Sequence, residues 1–123
     1  MRVYVATSFK NIPEARAVMH ALLMAGHEIT HDWTDKCIDP SWPLEQQHAY
    51  MQECGAADWQ GVESADALVF INHPECRDAM AEMGAALAMG KPVLALYPAR
   101  RPSVFFHRAA VLCSSLPQLL NHL

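Results

Sequence analysis

The sequence predicts an α/β fold, a flavodoxin-like three-layer sandwich around a five-stranded, mainly parallel sheet in the order 2-1-3-4-5. Three observations carry this. Short apolar runs at 3–6, 67–72 and 92–96 alternate with longer stretches of helical period. Gly26 and Gly90 each stand between a helical stretch and the next apolar run, where helix stops belong. Strict alternation of strand and helix then calls for right-handed crossovers, which put helices on both faces of a parallel sheet.

Residues 3–6 read as the first strand, which ends in Thr7 and Ser8. Asn11 and Pro13 start a helix in which Ala15, Val18, Met19, Leu22 and Leu23 share one face. Residues 28–31 form the second strand. Between 32 and 43 the composition shifts to Trp, Asp, Pro and Ser, a surface loop long enough to reach over a ligand. A helix follows over 44–53. Gly55 interrupts its pattern, so a separate short helix is expected over 58–64, with Asp58 at its start. The strand 67–72 leads into a helix around Glu82, closed by Gly90. A strand over 92–96, a loop bearing prolines and arginines, a weaker strand over 110–113 and a helix over 116–123 complete the order.

A length of 123 residues with 52% hydrophobic and 18% charged content suits a single domain, 1–123, with one core. The net charge of -4 gives no basic footprint for a nucleic-acid polymer or an anionic membrane. Runs of about 18 apolar residues are lacking, and the expected compartment is the cytoplasm. Cys37, Cys54, Cys76 and Cys113 form no C-x-x-C pair, which fits reduced thiols. The seven histidines include no H-x-x-x-H pair on a convincing helix, so no metal is expected.

The segment AMAEMGAALAMG, residues 79–90, carries one ionisable side chain, Glu82. A helix apolar on nearly every side belongs in an interior, where a carboxylate loses hydration. Its place near the helix start favours the ionised form by about 0.3–1 kcal/mol. A helix of about seven residues, roughly 10 Å long, would carry Asp58 back towards the carboxyl end of the following strand. Both acids then border the crevice where the winding of the sheet switches direction, beside Ser8 and Asn72. One ionised and one protonated carboxyl are the equipment for cleaving a glycosidic bond, Glu82 as nucleophile and Asp58 as acid.

Four segments match a known pattern in order: RVYVATSF, AGHEITHDWT, the DWQGVESAD stretch from Asp58 to Asp66, and AEMGAALAMGKPV. On these the chain resembles the nucleoside 2-deoxyribosyltransferase-like superfamily, which also contains nucleotide N-glycosidases. The resemblance implies that Glu82 attacks the sugar C1′ and that Asp58 is the acid or activating carboxylate. It implies that Tyr4 contacts the sugar or the nucleophile, that Ser8, Lys10 and Asn11 meet polar groups of the ligand, with Lys10 on a 5′-phosphate, and that Trp33 stacks on a base. Asn72 joins them from the strand edge, and Cys76 and Arg77 from the segment before the nucleophile. The substrate class is a small-molecule nucleoside or nucleotide, no cofactor is needed, and a homodimer or larger homo-oligomer is expected.

That segment departs from the family, where Gly, Ser or Thr is common: here it reads Cys76, Arg77, Asp78, Ala79. The departure sustains an alternative, a non-catalytic nucleotide-binding or sensing module on the same fold. Structural alternatives also stand beside each residue. Glu82 can lie on a solvent strip paired with Lys91 or an arginine, Asp58 can cap a helix, and the tryptophans can pack a loop over the sheet.

Overall fold

The computed structural model describes residues 1–108 and 111–123. Its elements run β1 (Arg2–Ala6), α1 (Ile12–Met24), β2 (Glu28–Ile29), α2 (Leu44–Ser64), β3 (Ala67–Ile71), α3 (Arg77–Ala88), β4 (Val93–Leu96), β5 (Val111–Cys113) and α4 (Leu116–Asn121). The strands form one sheet, β2-β1-β3-β4-β5, and every neighbouring pair is parallel. Helices cover both faces, as the alternation requires, and α2 packs beside α3.

β3 is buried along its whole length, and Val3 to Ala6 of β1 are fully enclosed. A strand covered on both faces needs the continuous apolar run that both segments supply. On α1 the stripe Ala15, Val18, Met19 and Leu22 faces the sheet. On α3 the buried set is Ala79, Met83 and Ala86. That helix is covered on one side only: Ala81, Gly84 and Ala88 are exposed, small residues that leave little apolar area in water. Met83 is in the core, and Met80 and Met89 pack against it.

Two boundaries differ from expectation. Gly55 does not break a helix, since α2 is continuous over 21 residues. A glycine in a helix interior costs about 1 kcal/mol against alanine, less than a new helix nucleus would. Asp58 therefore lies within α2 and caps nothing. β2 is two residues long; the Thr30 backbone N–H still donates to the Val3 carbonyl at 3.0 Å, while the Thr30 hydroxyl donates to the Gly61 carbonyl of α2 at 2.8 Å. The weaker strand is described over Val111–Cys113, and Ala110 lies outside the described residues.

Candidate active site

Tyr4 pairs with Leu68 in the middle of the sheet, and its ring, fully buried, projects towards α2 and α3. Its hydroxyl donates to Glu82 Oε2. Burial, then the Glu82 and Asp58 charges, raise the phenol pKa far above its ordinary value, so Tyr4 stays a proton donor at any working pH. Glu82 is the sixth residue of α3, beyond the first turn in which a helix N-terminus stabilises an anion. Burial pushes its pKa up to about 7, against the Tyr4 hydrogen bond and the Lys36 charge, with Asp58 and Asp78 adding to the rise. The help that a helix terminus was expected to give the ionised form is outweighed by burial. Lys91 is elsewhere, donating to the Ala65 carbonyl at 2.5 Å.

Asp58 faces the same space from α2. Its Oδ2 is paired with the Lys36 ammonium, whose side chain is 12% exposed. Its Oδ1 lies 3.4 Å from His31 Nε2, and neither of these enclosed atoms completes a hydrogen bond. The second carboxyl is thus an ion-paired group between two basic side chains. Of the two roles expected for Asp58, acid or activating carboxylate, this pairing suits the second.

Two cavities meet at these carboxylates. One, of about 510 Å³, is mainly apolar and is lined by Ile38, Tyr50, Met51, Cys54, Gly55 and Trp59 among others. The second, of about 720 Å³, is lined by Thr7, Ser8, Lys10, Glu75, Arg77 and Arg101 among others. Phe9, Lys36, Asp58, Asp78 and Glu82 border both, so they form two lobes of one crevice. Its volume is ample for a ligand of nucleoside size.

The sequence model of the family described as nucleoside 2-deoxyribosyltransferase matches residues 3–116. The chain belongs to this family. No curated protein matches it significantly in sequence. Among solved structures it is similar to the 2-deoxyribosyltransferase of Bacillus psychrosaccharolyticus, at 16% identity and a TM-score of 0.68 over 98% of this chain and 91% of that one. It is similar to the Clostridium botulinum CMP N-glycosidase at 17% identity and a TM-score of 0.59, over 99% and 97% of the two chains. A conserved protein of Enterococcus faecalis V583 gives 17% identity and a TM-score of 0.68, over 98% and 95%. At these identities the likeness shows the shared fold.

In this nucleoside 2-deoxyribosyltransferase family chain, the structure brings Tyr4, Asp58 and Glu82 together and lines the polar lobe with Ser8, Lys10, Cys76 and Arg77. Ser8 Oγ also accepts from the Lys10 backbone N–H at 3.1 Å, and the Lys10 ammonium is paired with Glu75. Burial raises the Cys76 thiol pKa, and Arg77 Nε lies 3.5 Å from Asp78. Trp33 borders the polar lobe but is 4% exposed, with its indole N–H donating to the Val5 carbonyl at 2.7 Å and its ring edge-on to Phe9.

Asn11 and Asn72 are not brought to the crevice. The Asn11 amide donates to Thr7 Oγ1 at 3.2 Å. The buried Asn72 amide donates to the carbonyls of Tyr97, Pro98 and Arg101 at 3.0–3.2 Å, tying down the segment after β4. Lys36, His31 and Phe9 are the residues that sequence reasoning passed over. Only the length of the loop holding Lys36 hinted at a role. Among the described residues no three His, Cys, Asp or Glu side chains converge as a metal cage would require, and no helix is long and apolar enough to cross a membrane.

Proposed function

We propose that this family member cleaves or transfers at the N-glycosidic bond of a nucleoside or nucleotide, with Glu82 as nucleophile. The observation that carries the reading is the half-buried Glu82 carboxyl, held by Tyr4 where the two lobes meet. A flat base suits the apolar lobe, and the sugar with its 5′ substituent suits the lobe bearing Lys10, Arg77 and Arg101.

In the ionised form, Glu82 attacks C1′ while the bond from C1′ to the base nitrogen breaks and its electron pair leaves with the base. That nitrogen takes up a proton. Lys36, held at the crevice by Asp58, is the donor we assign, so Asp58 acts through it as an activating carboxylate. The sugar remains as an ester of Glu82 until water or a second base attacks C1′, loses a proton and frees the carboxylate. Tyr4 donates to the carboxylate before attack and after release.

The reading takes residues 1–123 as one domain, since one sheet organises the described residues and the family match runs from 3 to 116. Four unbridged cysteines support a reducing compartment such as the cytoplasm. Exposed Leu44, Met51 and Trp59 on α2 support a homodimer or larger assembly.

The test is incubation with a panel of nucleosides and 5′-nucleotides, with and without a second free base, read by chromatography for released or exchanged base. Wild type is expected to turn over at least one substrate, and Glu82→Ala none. No turnover by wild type, with thermal stabilisation by the same compounds, favours the non-catalytic binding module.

A further inference from the structure

The geometry points to Gly61 as a positioning residue, whose missing side chain lets α2 close on β1 so that Tyr4 and Asp58 reach Glu82. A Cβ at Gly61 would lie 2.8 Å from both Cδ2 and Cε2 of Tyr4 and 2.9 Å from the Cβ of His31. These are closer than carbon atoms approach without displacement. The Tyr4 ring cannot yield freely, because it is fully enclosed. By contrast, Gly55 on the same helix has nothing within 4 Å of its Cβ position. Gly61 is thus a matter of close approach, and helix flexibility is not what the position needs.

Both side chains that a methyl group would strike are partners of a site carboxylate. Tyr4 donates to Glu82, and His31 lies against Asp58. Asp58 precedes Gly61 by three residues, on the same face of α2 and one turn away. The Thr30 hydroxyl fastens the Gly61 carbonyl at 2.8 Å, which seats the helix at that point. A rigid ring pushed at its edge carries its hydroxyl with it, so a shift of a few tenths of an ångström at Gly61 is delivered to the bond with Glu82.

The inference takes its catalytic meaning from the proposed function, but its geometry can be tested without substrate. Carboxyl ¹³C NMR, with Glu82 assigned through Glu82→Gln, follows the Glu82 titration in wild type, Gly61→Ala, Tyr4→Phe and the double variant. The groups facing Glu82 are Tyr4 from β1, Asp58 from α2, Lys36 from the loop and Asp78 from α3. Gly61→Ala is expected to raise the Glu82 midpoint by about half a unit or more, as Tyr4→Phe does, and to add little in the Tyr4→Phe background.

Base release gives the second readout. Gly61→Ala is expected to lower kcat about 10-fold or more in wild type, yet by no more than about 2-fold beside Tyr4→Phe. A folded Gly61→Ala protein with an unmoved Glu82 midpoint, or equal losses in both backgrounds, would overturn the inference. If Gly61→Ala does not fold, Gly61→Ala/Tyr4→Leu/His31→Gly, which removes both contacts, must restore folding; failure to do so also overturns it. Absence of base release from wild type counts against the proposed function alone, since the titrations still decide the role of Gly61.

Discussion

Tyr4 and Glu82 meet across 78 residues of sequence, the hydroxyl of the first donating to Oε2 of the second. The bond joins the middle of β1 to the second turn of α3, and it is one of two influences that hold the Glu82 pKa down against burial. The other is Lys36. Glu82 consequently titrates near neutrality, where small changes in its partners alter the fraction ready to attack.

Tyr4→Phe should therefore move the acid limb of kcat/KM to higher pH. A donor to a carboxylate lowers its pKa, so losing the donor raises it above about 7. Activity at pH 6 should fall more than activity at pH 9. A pH-rate profile checks this, and an unmoved limb would show that Glu82 is not the titrating group.

Stability should respond with the opposite sign to that of most acids. The folded protein raises the Glu82 pKa from the 4.5 of a free glutamate to about 7, so between those values it binds more protons than the unfolded chain. Its contribution is greatest below pH 4.5 and is lost as pH rises through about 7, a change of about 3 kcal/mol at most, reduced by the partial exposure of the carboxyl. Urea denaturation at pH 5 and pH 8 should show that Glu82→Gln removes this slope. Equal slopes in the two proteins would contradict it.

The same crevice shows what patterning in the sequence could and could not deliver. Alternating apolar runs were enough for the sheet order and for placing Glu82 on a helix beside the crevice, because strand burial and helical period are local properties. The partner of Asp58 was not visible, since Lys36 sits in a segment without period and reaches its carboxylate only after folding. Asn72 misled for a related reason. A polar residue at the end of a strand looks like a ligand contact, yet its amide is engaged by carbonyls 25 to 29 residues further on. The continuity of α2 was missed because Gly55 was weighed alone, without the good helix formers on both sides of it.

Lys36→Met should weaken both the fold and the reaction. It strands Asp58 Oδ2 in a partly buried place and removes a charge that lowers the Glu82 pKa. The expected stability loss is about 1–3 kcal/mol, between the surface and buried limits for a broken ion pair, and adding Asp58→Asn should recover part of it. If Lys36 protonates the leaving base, kcat falls by about 10²-fold or more. Denaturation of the single and double variants and steady-state base release read the two effects separately.

Two glycine replacements separate helix stability from room in the crevice. Gly55 and Gly84 are both helical, and a Cβ at either meets nothing within 4 Å. Alanine at each should stabilise the protein by about 0.5–1 kcal/mol, because glycine loses more backbone freedom on folding. Only Gly55 lines the apolar lobe. Its new methyl group should therefore raise KM for the nucleoside or nucleotide, whereas Gly84→Ala leaves KM where it was. Thermal melts establish the shared gain and initial-rate kinetics the difference; a KM unchanged in both would mean that the base does not occupy the lobe beside α2.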